Sequence, residues 1–328
     1  MLFADGIAAQ PNALARSAKS LRDALRDLPL PRAHDVIALV GIGASEYAAA
    51  GAAPVWRDQG LRAFAVSASQ LLKTTTPVAD LYLGLSESGR SAETVAALSQ
   101  LSGTRRVGLT NFADSPLVAV VDEALYLDSG PDSPIYTTGY TATLQALGLL
   151  GEHWSGQATN WSALPDMAAT VLAEAAPVIA DLTSVLAGAR IVDVVASGAS
   201  LSTAGEGALI LRESARLLTA SHETYNYLHG PMEPLDPQTV CVIIGDGREL
   251  RLAQDTSELG CPTLLITTAT DIPPSETLTV LTLPRACSPL AQAVLEILPL
   301  QQLGWAVASG RGLAVDGFRY HQDDTKLG

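Results

Sequence analysis

Leu81-Tyr-Leu-Gly-Leu-Ser-Glu-Ser-Gly-Arg-Ser-Ala-Glu-Thr-Val-Ala-Ala-Leu98 is the stretch on which the reading of this chain turns. Leu81 to Leu85 is a short uncharged run and reads as a buried strand. The Ala-rich run from Ala92 to Leu101 reads as a helix. Between them lies a small polar turn, with Ser86, Ser88 and Ser91 grouped around Gly89. A strand that turns directly into a helix aims free backbone N–H groups at one spot. Hydroxyls added to those N–H groups suit a phosphate monoester, with no lysine needed. The same residues also suit a plain serine-rich cap, and the loop alone does not choose between the two.

The pattern repeats outward from this stretch. In the first half, apolar segments fall at Val36–Gly41, Arg62–Ser67, Leu81–Leu85, Arg106–Thr110 and Ala124–Leu127, separated by helix-like runs. In the second half they fall at Ile191–Ala196, Val240–Ile244, Thr263–Thr267 and Leu278–Leu283, with a weaker candidate near Leu217–Thr219. Continuously apolar strands alternating with helices indicate parallel sheets covered on both faces. The expected fold class is α/β: two similar three-layer αβα sandwiches with parallel sheets. The expected layout is a helical arm over 1–33, a first domain over 34–155, a linker helix over 156–185, a second domain over 186–312 and a tail over 313–328.

Composition narrows the function. The chain has 328 residues, 48% hydrophobic and 16% charged, which implies a large core and room for two domains. A net charge of −14 argues against a nucleic-acid or anionic-membrane partner. Cys241, Cys261 and Cys287 are isolated and odd in number, so neither a disulfide framework nor a zinc knuckle is expected. A reducing, cytoplasmic setting follows. No signal-peptide pattern opens the sequence, and no unbroken apolar run reaches the roughly 18–20 residues of a membrane span. The five histidines show no metal-ligand spacing, so no metal and no cofactor are expected.

Two more helix entrances carry hydroxyls. Gly41-Ile-Gly-Ala-Ser-Glu-Tyr47 ends the first strand with Ser45 in the turn, and Tyr136-Thr-Thr-Gly-Tyr-Thr141 precedes another helix. The carboxyl edge of a parallel sheet is where ligands bind in such folds. The first turn is not GxGxxG, so no dinucleotide site is expected.

On these residues the chain resembles the sugar isomerase (SIS) domain family. It is similar to the isomerase half of glucosamine-6-phosphate synthase and to stand-alone amino-sugar-phosphate deaminases. The likeness begins at Gln10-Pro-Asn-Ala13, continues through Gly43-Ala-Ser45 and is most specific at Ser86-Glu-Ser-Gly-Arg-Ser91. In the second half, Glu206-Gly-Ala-Leu-Ile-Leu-Arg-Glu213 and His229-Gly-Pro231 match a family helix and turn. The resemblance implies a sugar 6-phosphate held at Ser45, Ser86, Glu87, Ser88 and Ser91, with Thr137 a further ligand contact. It implies Glu213 as the base between C1 and C2. It implies His229 as a ring-opening group supplied by a neighbouring subunit, hence a homodimer with shared sites. Lys326, near the end of the tail, would pair with the sugar carbonyl. Independently of the resemblance, a carboxyl ending an apolar helix face is open to desolvation, which raises its pKa toward that of a working base.

The chain also departs from the family. Glu87 stands where the family often has glutamine, and its charge opposes a phosphate dianion unless it points away. Gly139 replaces a lysine of the synthase. The spacing from Arg319 to Lys326 is longer than usual, and Ala196-Ser-Gly-Ala-Ser200 lacks a Gly-x-Gly turn. Isomerase, deaminase and deglycase of a phosphorylated sugar all remain open, as does a non-catalytic phosphosugar sensor. The segment before Val36 is too short and too mixed in charge for a DNA-binding helix-turn-helix, which favours the enzyme.

Overall fold

The computed structural model describes residues 1–73, 76–101, 103–315, 317–320 and 322–328. The first half runs α1 (Phe3–Leu25), β1 (Val36–Gly41), α2 (Ala44–Asp58), β2 (Arg62–Ser67), α3 (Ala68–Leu71), β3 (Leu81–Leu85), α4 (Ala92–Gln100), β4 (Arg105–Thr110), β5 (Glu123–Tyr126) and α5 (Thr138–Ser155). It is followed by α6 (Leu164–Ala187), β6 (Ile191–Ala196), α7 (Leu201–Glu213), β7 (Thr219–Glu223), α8 (Thr224–Tyr227), β8 (Thr239–Ile244), α9 (Arg248–Glu258), β9 (Thr263–Thr267), β10 (Leu278–Thr282) and α10 (Pro289–Gly310).

The strands form two five-stranded sheets, ordered β2-β1-β3-β4-β5 and β7-β6-β8-β9-β10. Every pairing in both is parallel. The two orders are the same doubly wound order, and in each the winding reverses between its first and third strands. Side chains alternate across the strands as a period of two demands. Ile37, Leu39, Leu81, Leu83 and Leu85 face one large core, while Ala38, Val40 and Tyr82 face a smaller outer one. In the second sheet Val192, Val194, Val242 and Ile244 join the same large core, and Val195, Cys241 and Ile243 turn outward. The large core therefore lies between the sheets, filled by helices from both halves. Burial on both faces is why these strands read as unbroken apolar runs.

Two glycines let α2 and α7 approach closely within that layer. A Cβ on Gly51 would sit 2.5 Å from Ser202 Cβ, and one on Gly205 would run into the ring of Tyr47. Close contact brings α7 of the second half to the carboxyl edge of the first sheet. The turns entering these helices match: Gly43 has φ 58° and Gly198 has φ 59°, each followed by Ala-Ser. Without Gly-x-Gly at 196–200, the second turn keeps the left-handed glycine at 198 but adds a short 3-10 turn, Gly198–Ser200, before α7.

The helix over Trp161–Ala187 is long and apolar enough to cross a membrane, with mean hydropathy 1.5. No unbroken apolar run flagged it, because Asp166, Glu174 and Asp181 interrupt the sequence. Its buried residues, Leu164, Ala168, Val171, Ala175, Ile179, Leu182 and Leu186, recur every three or four positions. That is the stripe of a helix packed on a protein core, and α6 packs chiefly along α10.

Candidate functional site

The serine loop is built by β3 and α4 as its sequence predicts. Gly89 takes φ 63°, and a Cβ there would strike the Ser115 hydroxyl, so glycine is required. Ser86 is buried, and its Oγ lies 3.0 Å from Ser91 Oγ. Ser91 stands at the N-cap of α4 without using its side chain as a cap. The Ser88 hydroxyl accepts the Arg90 N–H at 3.3 Å. Across the cleft, Ser45 lies in the first turn of α2, and its hydroxyl has no hydrogen-bond partner among the described residues. The N-termini of α2 and α4 thus both lie at the winding reversal of the first sheet, where Ser91, but not Ser45, Ser86 or Ser88, lines the adjoining cavity.

A cavity of about 390 Å³ opens there. It is lined by Gly43, Ala44 and Ser91 from the first half, by Glu206, Leu209 and Glu213 of α7, and by Tyr136, Phe318, Thr325 and Lys326. The tail reaches it by pairing with the serine loop. Ser91 and Lys326 form an antiparallel bridge, Ala92 N–H donates to Thr325 O at 3.1 Å, and Leu327 N–H donates to Arg90 O at 2.9 Å. Lys326 Nζ donates to the Tyr136 hydroxyl at 3.1 Å and lies 5.6 Å from that ring's centroid. A larger hollow, about 560 Å³, lies at the opposite, amino edge of β1, β3 and β4. Two of its polar side chains are already engaged: Asp80 accepts the Val36 N–H, and Arg105 donates to the Pro29 and Leu30 carbonyls.

Two acids of α7 in the cavity, Glu206 and Glu213, are raised above the usual carboxylate range. Burial pushes Glu213 up to about 7, against the opposing pull of the Lys326 charge. No ion pair with Arg212 or Arg216 forms: Arg212 donates to the Thr219 carbonyl and Arg216 to the Ala314 carbonyl. Glu206, fully buried, is pushed well above the carboxylate range by burial first and then by Glu213 and Asp132.

Two expected ligand contacts are placed differently. Glu87 is buried behind the loop, where Asn111 Nδ2 donates to its Oε1 at 3.1 Å. Burial and the charge of Asp132 push it up to about 7. Its carboxyl is engaged by Asn111, and it is not among the residues that line the cavity. Gly139 completes this arrangement, since a Cβ would sit 2.5 Å from Glu87 Cγ. Thr137 is fully buried, and its hydroxyl donates to Asp132 Oδ1 at 2.5 Å. Its neighbour Tyr136 is the residue that faces the cavity. His229 is exposed on the turn after α8 and does not line this cavity. His321 lies outside the described residues.

The sequence reading missed Tyr136, Asp132 and Glu206. Glu206 had a signal, since it stands seven residues before Glu213 and so shares its helix face. Asp132, which caps α5 by accepting the N–H groups of Thr137 and Gly139, sits in an irregular segment and had none.

The second sheet carries a matching crevice of about 380 Å³, lined by Ser200, Asp246, Arg285, Ser288 and Glu296. Gly245-Asp-Gly247 replaces the serine loop, and Asp246 is paired with Arg285 at 3.3 Å. Glu296 accepts the Ser200 and Thr203 hydroxyls, and burial pushes it up to about 7. Among the described residues, a serine loop at a strand–helix junction is therefore found in the first half and not at the matching place in the second.

Comparison with known proteins agrees with this geometry. The SIS domain model matches residues 185–301. Glutamine–fructose-6-phosphate aminotransferase (isomerizing) of Thermus thermophilus is 28% identical over 265 residues, covering 73% of this chain and 43% of that protein. The human enzyme 2 of the same name is 27% identical over 319 residues, covering 90% of this chain and 46% of its own. The chain thus spans less than half the length of these curated relatives. Among solved structures, the C-terminal domain of the Francisella tularensis aminotransferase superposes with TM-score 0.83 at 20% identity, covering 96% and 97% of the two chains. Glucosamine-6-phosphate deaminase of Thermotoga maritima superposes with TM-score 0.82 at 21% identity, covering 98% of each. The chain thus matches the SIS domain model over much of its second half, and its two sheets share the fold of these solved structures.

Proposed function

We propose that this chain binds a 6-phosphorylated sugar and moves a proton between its C1 and C2, as an aldose–ketose isomerase, an amino-sugar-phosphate deaminase or a deglycase. The observation that carries this reading is the Glu213 carboxyl: unpaired with arginine, raised to about 7 by burial, and in one cavity with Ser91 and Lys326. Ser45, Ser86, Ser88 and Ser91, with the N-termini of α2 and α4, hold the phosphate. Glu213 takes the proton from C2 and returns it to C1, through an enediol or an enolamine. Lys326 polarises the carbonyl, or forms an imine with it and releases water. A base needs a pKa near the working pH to be both unprotonated and effective.

The reading is tested by supplying glucosamine 6-phosphate and the unaminated sugar phosphates, then measuring ammonia release, aldose–ketose conversion and solvent-hydrogen exchange at C1 and C2. We expect exchange with at least one of them. Binding without exchange across the panel would leave a phosphosugar sensor.

The resemblance of His229-Gly-Pro231 to the family turn assigns His229 to ring opening in the site of a second subunit; in its own chain it does not line the cavity. Mixing inactive Glu213→Gln and His229→Ala subunits should then restore activity in mixed dimers. No recovery after proven subunit exchange would exclude the shared site.

A further inference from the structure

Glu206 has no part in the proton transfer above, yet it is the least satisfied group in the cavity. It is 1% exposed, it lines the cavity, and its Oε2 has no hydrogen-bond partner among the described residues. The charges acting on it are those of Glu213 and Asp132, both acidic. Lys326 acts on Glu213, Glu87 and Tyr136, but it is not among the groups that perturb Glu206. A buried acid without a counter-ion is costly as a carboxylate and wasteful as an idle polar group. Its place in α7 puts it in the same cavity as Glu213. It precedes Glu213 by two turns, roughly 10 Å along the axis, and helical side chains lean back toward the N-terminus. The Glu213 carboxyl therefore leans toward Glu206.

A hydroxyl from a ligand would fill one lone pair of Oε2 and leave the carboxyl in its protonated form. An ammonium would supply the missing cation, so that the carboxyl gives its proton to solvent and pairs as the carboxylate. We propose that Glu206 receives the protonated amino group of an amino sugar phosphate, so that this residue selects aminated substrates over their hydroxyl counterparts. The inference rests on the phosphosugar reading above and names the substrate class of that site.

The test compares Kd for glucosamine 6-phosphate and glucose 6-phosphate at a pH where the amine is protonated. It uses Glu213→Gln protein, in which turnover should be slow enough for binding to be read before conversion. The amino sugar should bind about tenfold or more tighter, the usual strength of one hydrogen bond to a charged group. Adding Glu206→Gln, which keeps the shape of the side chain, should remove that preference while leaving glucose 6-phosphate affinity within about threefold. A merely structural role for Glu206 would weaken both ligands alike. Equal affinities in the Glu213→Gln protein, where Glu206 is untouched, would overturn the proposal even if the double variant fails to fold. So would a preference that survives Glu206→Gln. Binding of neither ligand would instead strike the phosphosugar reading itself.

Discussion

Glu213→Gln should lower kcat by about 10²–10⁴, the usual contribution of a general base, while sugar-phosphate binding persists. Glutamine keeps the size and hydrogen bonding of the side chain and removes only its basicity. Glu213 closes α7 and is partly exposed, so the exchange of one polar group for another should leave the fold in place. The pH dependence supplies a second signature. A base with a pKa of about 7 is unprotonated above that value, so kcat/KM of the parent should rise with pH up to about 7 and then level. The variant should lack that limb. Solvent-hydrogen exchange at C1 or C2 reports the step directly, and exchange at the parental rate in Glu213→Gln would place the base elsewhere.

Ser91→Ala should raise KM for a phosphorylated sugar by about 10- to 150-fold, from the loss of one hydrogen bond to a charged group worth roughly 1.5–3 kcal/mol. Removing an N-cap serine usually costs about 1 kcal/mol of stability. Here the side chain makes no cap bond, so melting should be nearly unchanged. Ser86 and Ser88 should follow in the same direction, Ser86 at some cost in stability because it is buried against Ser91. Unchanged affinity for phosphosugars across the three alanine variants would reduce the loop to a structural turn.

The strands were readable because both faces of each sheet are buried, which leaves a continuous apolar signature at β1, β3, β6, β8 and β9. The exception shows the rule. The edge strand β7 is Thr219-Ala-Ser-His-Glu223, and most of its length is only partly buried. With no apolar run to mark it, the expected segment at Leu217–Thr219 fell short, and Leu218 is in fact exposed. The serine loop was readable because glycine and hydroxyls at a strand–helix junction leave few other backbone paths. What the sequence could not reveal is direction. Thr137 and Tyr136 are adjacent hydroxyl residues, and only the position of Asp132, five residues before Thr137, decides which one turns to the cavity. The same holds for Glu87, whose orientation depends on Asn111, twenty-four positions away in sequence.

The buried acids at the two crevices tie the chain's folding to proton uptake. Glu87, Glu213 and Glu296 rise from an ordinary 4.5 to about 7 in the folded state, and Glu206 rises further. Between these values the native chain holds protons that the unfolded chain has released. Where the native state binds more protons, stability falls as pH rises. The contribution of these groups is therefore fully present below about pH 4.5 and is lost as pH climbs through 7. Most folded proteins draw the opposite slope from their paired carboxylates over the acid range. In this chain these buried acids weaken the fold toward the alkaline side, and any cation seated beside them would carry a share of the fold's stability along with its own binding.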